Sequence, residues 1–181
     1  FAPAEYTPDS YYLALDKGIN ETKNLLRKYG YGGAEIWITE TMIFTTEGMS
    51  DKEIKKLPDE YRRITENQQA KSLIKIYVLS LANGVKKIFW NKLTEGPWFD
   101  FMFKWAGLIR HPNFSGSDSK KLSYYTYKKM TETLEGSDWN NIQIIQESDG
   151  VYIYKFQKGS KNILVAWNDN SAEKQITISG I

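Results

Sequence analysis

Glu40 is the first residue whose type and position could support chemistry. It follows the apolar run Ile36-Trp37-Ile38 and Thr39, and turn-type residues lie on both sides of this segment. A carboxylate at the end of a buried strand is costly, so it needs either a neutralising partner or a functional role. Because side chains alternate along a strand, we expect Glu40 to share one side with Ile36 and Ile38. The alternative is that Glu40 caps the strand end or pairs there with a basic side chain.

A second apolar run ends in an indole ring. The run from Val85 ends at Trp90, and an aromatic-rich segment that contains Trp98 follows it. A carboxylate and an indole at adjacent strand ends could form a sugar-cleaving site, in which the carboxylate attacks an anomeric carbon and the ring holds a pyranose. Core packing is the alternative for Trp90. For Trp98, the alternative is packing of its loop over neighbouring residues.

Other catalytic chemistries lack the residues they require. The sequence has no cysteine, which excludes disulfides, thiolate metal sites and a cysteine nucleophile within it. Its one histidine, His111, lies in the turn-rich segment "IRHPNFSG". Without a second histidine nearby, a metal site or a Ser-His-Asp triad has little support. The sequence implies no metal and no organic cofactor.

Composition limits the partners that we expect. The 24 basic and 22 acidic residues of this 181-residue chain give a net charge of +2, and they form no basic run. Nucleic acid is therefore not an expected partner. No apolar stretch is long enough to cross a bilayer, so a membrane is not an expected partner either. Aromatic residues make up 14% of the chain, which suits sugar-binding surfaces and packed cores alike. Nothing in the sequence indicates a compartment.

Amphipathic helices alternate with short strands over the first three quarters of the chain. Apolar periodicity predicts helices at 11–29, 59–83 and 122–134, strands at 34–39 and 85–90, and a long loop at 91–119. In the first helix, Tyr29 closes the apolar stripe. In the second, the stripe runs through Leu73, Tyr77 and Leu81 and leaves Lys75 on another face.

The residue pattern of the sequence changes from helix-rich to strand-rich after Gly136. The short β-rich runs "NIQII", "VYIYKF", "NILVAW" and "KQITI" are separated by turn signals about every ten residues. They predict a small antiparallel β module at 137–181, attached to an α/β portion at 1–136.

The α/β portion is too short to stand as a complete architecture of its type. Strands separated by amphipathic helices indicate a parallel α/β sheet. A closed barrel of this kind needs eight strands and typically about 250 residues, so this chain would hold about a quarter of one. In such barrels the functional residues lie where strands end, which is where Glu40 and Trp90 are expected.

Five segments in order resemble the last quarter of a clan A retaining glycoside hydrolase. They are "EIWITET", a long helix ending "LANG", "VKKIFWNKL", "FKWAGLIR" and "KLSYYTYKKM". Members of that family commonly have a strand seven ending in Thr-Glu, a strand eight ending near Trp, and then a last helix. The resemblance implies the end of a (β/α)8 barrel, about strands 7 and 8 with flanking helices. It is followed by a module similar to the small antiparallel β-sandwich often attached to such barrels.

The resemblance also implies residue roles. Glu40 would be the nucleophile that forms a glycosyl-enzyme intermediate, and Trp90 would line the subsite of the attacked sugar. From the aromatic loop, Trp98 is the ring that we expect to reach the carbohydrate substrate. The family's acid/base Glu, in an Asn-Glu pair at strand four, has no counterpart here. An N-terminal barrel portion, in the same polypeptide or in another chain, would supply it. Residues Thr41-Met42 depart from the Thr-Gly of many relatives. By itself, this chain is expected to be inactive.

Two other interpretations stay open. The chain could be a non-catalytic carbohydrate-binding or assembly module, whose surface would be the aromatic loop or the β-module face with Tyr152, Tyr154 and Trp167. A packed core is the alternative for those rings, since a sheet needs one apolar face. The exposed edges of two parallel strands could also promote association with other chains.

Overall fold

The chain folds into two compact units of mixed α/β structure. The computed structural model describes residues 9–96, 101–115 and 119–178. The first unit ends at Met130 and the second begins at Thr131. The first contains a two-stranded parallel sheet and the second a three-stranded antiparallel sheet, which confirms the expected order of a parallel α/β portion followed by an antiparallel β portion.

The first helix, α1 (Tyr11–Lys28), forms where the apolar periodicity predicts it. Tyr12 and Ile19 are its buried residues, and Gly30 follows with a φ of 83° that ends the helix. Tyr29 was expected to close the apolar stripe, but its ring is 64% exposed because the helix has already ended.

The central helix of the first unit begins later than predicted. A short helix α2 (Asp51–Ile54) and a 3-10 turn (Asp59–Tyr61) come first, and α3 spans Glu66–Ala82. Thr65 starts α3 with a capping box: its hydroxyl accepts a hydrogen bond from the Gln68 amide, and the Gln68 side chain accepts one from the Thr65 amide. This cap places the start seven residues after the predicted Asp59.

Helix α3 is buried on more than one face. Lys75 was expected to lie away from the apolar stripe, but it is buried, and its ammonium group lies 5.1 Å from the centre of the Tyr12 ring. Helices α1 and α3 pack against each other. The aromatic ring of α1 therefore accommodates the charge that the sequence pattern assigned to solvent.

Strands β1 (Trp37–Thr41) and β2 (Lys87–Trp90) pair in parallel, as the sequence predicts. Trp37 lies opposite Lys87 and Ile38 opposite Ile88, but the register shifts before Thr41, which lies opposite Trp90. The parallel pairing brings the ends of both strands to the same edge, where the candidate residues are.

The register shift coincides with an interruption in the alternation of exposed and buried residues along β1. Ile36 lines a cavity of about 280 Å³ with Leu26 of α1 and Ala82 of α3, so its side of the strand faces the helices. Glu40 is exposed, whereas Ile36 and Ile38 are half-buried. Residue 39 and Glu40 are both exposed and Thr41 is buried, because the irregular backbone interrupts the alternation.

The segment after β2 is more ordered than the predicted loop at 91–119. It contains α4 (Phe101–Lys104) and α5 (Pro112–Ser115), and single bridges join Thr94 to Ile109 and Ile109 to Lys120. The peptide bond between Asn91 and Lys92 is cis. Helix α6 (Leu122–Leu134) then begins and ends where the sequence predicts.

The second unit contains an antiparallel sheet in the order β3 (Gln143–Ser148), β4 (Val151–Lys158), β5 (Lys161–Asn168). Asp149 and Gly150 join the first two strands with φ angles of 53° and 70°, as a tight two-residue hairpin turn requires. The fourth predicted run, "KQITI" at 174–178, forms no strand.

Candidate functional site

Glu40 lies at the carboxyl end of β1 and is exposed. Its Oε1 atom accepts a hydrogen bond from Asn91 Nδ2 at 2.6 Å. The backbone amide of Asn91 donates to the carbonyl oxygen of Thr41 at 2.9 Å, which extends the parallel pairing one residue beyond β2. The two strand ends are thus joined by one main-chain and one side-chain hydrogen bond.

The partner of Glu40 is neutral. Within the described ranges, Glu40 forms no ion pair, and no described residue donates a hydrogen bond to its Oε2 atom. The sequence left open that a basic side chain neutralises Glu40 at the strand end. The amide of Asn91 takes that position instead, so the carboxylate keeps one oxygen available.

Trp90 lies at the end of the neighbouring strand, opposite Thr41 in the register. Its ring is half-buried, and its Nε1 atom donates a hydrogen bond to the carbonyl oxygen of Ala106 at 3.3 Å. The buried segment from Trp105 to Leu108 therefore fixes the indole edge. The third predicted site residue, Trp98, lies outside the described residues.

The face of the parallel pair that turns away from the helices carries exposed aromatic rings. Trp37 is 47% exposed and Phe89 is 50% exposed. The Lys87 ammonium lies 3.9 Å from the centre of the Trp37 indole, and Glu35 accepts a hydrogen bond from the indole nitrogen at 3.1 Å. Large rings on an open sheet face mark a surface that further polypeptide or a ligand can cover.

Two further carboxylates of the first unit, Glu47 and Glu66, are engaged in structural contacts. Arg110 binds both Glu66 and Glu47, and Glu66 also accepts a hydrogen bond from the backbone amide of Leu122, at the start of α6, at 2.9 Å. Arg110 thus links the region after β2 to α3, and Glu66 connects it to α6. We assign these groups a positional role.

Sequence reasoning missed a buried ion pair. The side chains of Lys121 and Glu95 are both 0% exposed, with 2.9 Å between Lys121 Nζ and Glu95 Oε1. Lys121 also donates hydrogen bonds to Thr45 Oγ1 at 2.9 Å and to the Trp105 carbonyl oxygen at 3.1 Å. Burial lowers the pKa of Lys121, and the charge of Glu95 opposes this effect. No local pattern reveals this pair, because "SKKLSYY" has the composition of an exposed helix start.

An apolar cavity lies beside the loop that follows β1. It measures about 390 Å³, and neither Glu40 nor Trp90 lines it. Burial raises the pKa of Tyr11, one of its lining residues. Burial also raises the pKa of Tyr61, helped by the nearby charge of Glu60. The main lining residues are Tyr11, Met42, Phe44, Tyr61, Met102 and Phe103.

The aromatic rings of the second unit stack on one another. The Trp167 ring lies 5.1 Å from Tyr152 and 5.2 Å from Tyr154, with interplanar angles of 14° and 23°. Tyr154 is completely buried and donates a hydrogen bond to Glu147 at 2.6 Å, and Phe156 is completely buried as well. Tyr154 and Phe156 therefore belong to the core. Tyr152 and Trp167 are half-buried.

Residues 9–96, 101–115 and 119–178 contain no group of three or more acidic or histidine side chains that could hold a metal ion. Within the same ranges, no helix has the length and apolar character needed to cross a bilayer.

No family model matches this sequence, and no curated protein matches it significantly.

Proposed function

We propose that this chain is the C-terminal portion of a retaining glycoside hydrolase, with Glu40 as the catalytic nucleophile. One observation supports the proposal most. An exposed carboxylate with one free oxygen lies at the carboxyl end of β1, beside the residues Trp90-Asn91 at the end of the parallel strand β2. Parallel α/β barrels place their reacting groups at this end of their strands.

The proposal includes a fold assignment, in which the first unit is the end of a (β/α)8 barrel. Helix, strand, helix, strand and helix follow one another in the first unit, with the strands parallel. This order corresponds to the end of a (β/α)8 barrel, and the second unit would be the attached β-sandwich-like module. The exposed rings of Trp37 and Phe89 would then face the interior of the completed barrel, where side chains from other strands would cover them.

The proposed reaction has two displacement steps. A carboxylate oxygen of Glu40 attacks the anomeric carbon, the bond to the leaving oxygen breaks, and that oxygen takes a proton from a carboxylic acid. The acid is now a carboxylate. Water then attacks the same carbon and gives a proton to this second carboxylate. The bond to Glu40 breaks, and both groups return to their starting forms. Trp90 would line the subsite of the attacked sugar.

In the proposed enzyme, the second carboxyl group would come from an N-terminal barrel portion outside these residues. Retaining hydrolysis needs two carboxyl groups about 5 Å apart. Glu47 and Glu66 bind Arg110, and Glu95 binds Lys121, so none of these three is available for that role. We therefore expect no turnover by this chain alone, because the leaving oxygen would remain unprotonated.

A hydrolysis assay on aryl glycosides tests the proposal. The chain is assayed alone and together with a polypeptide that completes the barrel and carries the acid/base Glu. Activity should need both parts, and Glu40→Gln should abolish it. Glu35→Gln is the matched control. Glu35 is an exposed glutamate just before β1, and it accepts a hydrogen bond from Trp37. Turnover by the chain alone that persists in Glu40→Gln would refute the proposal.

A second candidate function is carbohydrate binding by the β unit without catalysis. The half-buried, stacked pair of Tyr152 and Trp167 favours it, because a stacked aromatic surface can hold a sugar ring. Glycan-array binding that survives Glu40→Ala but is lost in Tyr152→Ala would support this function. Loss of binding in Glu40→Ala alone would point back to the strand ends.

A further inference from the structure

We propose that Asn91 is the residue that positions the Glu40 carboxylate for attack. Its side-chain amide holds Oε1 and leaves Oε2 to bond to the anomeric carbon. This inference rests on the proposed function, since it assigns a role within the same reaction. It adds a residue that neither the sequence pattern nor the resemblance singled out.

The local geometry supports a fixed orientation. Asn91 Nδ2 lies 2.6 Å from Glu40 Oε1, and the Asn91 backbone amide donates to the carbonyl oxygen of Thr41 at 2.9 Å. The main chain of Asn91 is therefore hydrogen-bonded to Thr41, the residue that follows Glu40. A side chain held in this way loses little further freedom when it binds its acceptor, and such pre-organisation favours reactive geometry.

The anchoring of Trp90 keeps Asn91 in place from the other side. Trp90 precedes Asn91, lies opposite Thr41 in the strand register, and donates from its indole nitrogen to the Ala106 carbonyl oxygen. The chain that follows returns along this segment, because the Leu108 amide donates to the carbonyl oxygen of Leu93 at 2.9 Å. The buried segment behind the strand ends thus supports the orientation of the amide.

The chemistry of the reaction explains why an amide suits this position. A hydrogen-bond donor stabilises the ionised carboxylate more than its ester. Glu40 is ionised before attack, is an ester in the intermediate, and regains its charge when water releases the sugar. The Asn91 amide should therefore speed the release step, in which the carboxylate departs, and should aim Oε2 in the attack step. A neutral amide does this without forming an ion pair.

The first test concerns the hydrogen bond itself and uses this chain alone. In a heteronuclear NMR spectrum, the Asn91 side-chain amide proton should be shifted downfield and protected from exchange. Glu40→Ala should remove both features. Asn20 provides the matched control, because it donates to Asp16 at 3.1 Å in an exposed pair on α1. Its resonances should not change in Glu40→Ala.

The second test measures both chemical steps. A panel of 2-deoxy-2-fluoro-glycosyl fluorides, in gluco, galacto, manno and xylo forms and both anomers, is added to the protein that contains this chain and the acid-bearing portion. Fluoride leaves without needing a proton, so a covalent adduct should accumulate on Glu40 and be detectable by mass spectrometry. Asn91→Ala should slow release of the adduct by about tenfold, as expected for loss of a hydrogen bond to the departing charged group. Its formation should slow less, because the attacking oxygen loses its aim but the ionised carboxylate is no longer stabilised before attack. Asn20→Ala should change neither rate.

The outcomes separate the two proposals. If no fluoride labels Glu40 in the unmodified protein, the proposed function fails and this inference fails with it. If Glu40 is labelled and Asn91→Ala forms and releases the adduct at unchanged rates, the inference alone is overturned. Equal thermal unfolding temperatures for Asn91→Ala and the unmodified protein show that any loss of rate is not a loss of folded protein. If Asn91→Ala does not fold, the NMR comparison with Glu40→Ala decides whether Asn91 holds the carboxylate.

Discussion

Glu40 and Glu95 are two carboxylates close to the end of β2, and their surroundings are opposite. Glu95 is completely buried, with its charge matched by Lys121 at 2.9 Å. Glu40 is exposed, and its partner is the neutral amide of Asn91. A buried carboxylate with a fixed cation is committed to the fold, because separating the pair would leave a charge without solvation. An exposed carboxylate with a neutral donor is oriented and still able to react.

The largest effect is expected from breaking the buried pair. Lys121→Met leaves Glu95 buried without its cation and should lower the free energy of unfolding by about 3–5 kcal/mol. Urea unfolding followed by tryptophan fluorescence measures this change.

The double variant Lys121→Met/Glu95→Leu sharpens the comparison. It replaces both charges with apolar groups, so it should recover much of the stability lost in the single variant. A single variant as stable as the unmodified protein would show that the pair is not buried in solution.

The residues around Glu95 are also expected to tolerate little change. A Cβ atom at Gly107 would lie 2.4 Å from the Glu95 backbone nitrogen and 2.8 Å from the Thr94 carbonyl carbon. Gly107→Ala should therefore destabilise the protein by about 1–3 kcal/mol through overpacking against the backbone. Gly33→Ala is the control, since nothing lies within 4 Å of a Cβ atom there. Equal melting temperatures for the two variants would contradict the close approach.

Glu53 is intermediate in burial between Glu40 and Glu95. We expect it to contribute to the pH dependence of stability. Partial burial raises its pKa, but hydrogen bonds from Ser50 and from Lys104 at 2.9 Å outweigh this and lower the pKa to about 2. Since the folded-state pKa lies below the ordinary carboxyl value of 4.5, the contribution of Glu53 to stability is complete above pH 4.5 and is lost as the pH falls towards 2.

Denaturation curves between pH 2 and pH 6 test this window. In Glu53→Gln, the free energy of unfolding should fall less steeply with decreasing pH than in the unmodified protein. Parallel curves for the two proteins would show that Ser50 and Lys104 do not favour the charged form of Glu53 in solution.

The smallest effect on stability is expected at Glu40. Exposed substitutions usually change the free energy of unfolding by no more than about 0.5 kcal/mol, so Glu40→Gln should unfold almost as the unmodified protein does. Urea unfolding measures the difference. A large loss of stability would place Glu40 with Glu95, as a group that the fold requires.

The sequence predicts most of the regular elements because their signals are local. The limits of α6 follow from its apolar periodicity, and the β4 strand follows from its alternating pattern beside the turn at Asp149-Gly150. Apolar periodicity alone places the start of α3 too early, at Asp59, because the pattern continues in front of the helix. The capping box that begins at Thr65 is the stronger local signal.

The features that the sequence did not predict depend on contacts between distant segments. Lys75 is buried with its charge against the ring of Tyr12. Lys121 is buried with its charge paired to Glu95, which lies 26 positions away along the chain. The partner of Glu40 is 51 positions away at Asn91. A pattern of spacings can place Glu40 at a strand end, but only the pairing of β1 with β2 shows which side chain meets it.

Chemical rescue tests the central claim most directly. In Glu40→Ala, assayed together with the portion that completes the barrel, an activated aryl glycoside should react slowly, and added azide should restore its consumption. Azide takes the place of the missing carboxylate, so the product should be a glycosyl azide of inverted anomeric configuration, which NMR identifies. Aryl glycoside hydrolysis by Glu40→Ala at the unmodified rate, without azide and with retained configuration, would contradict the role of Glu40.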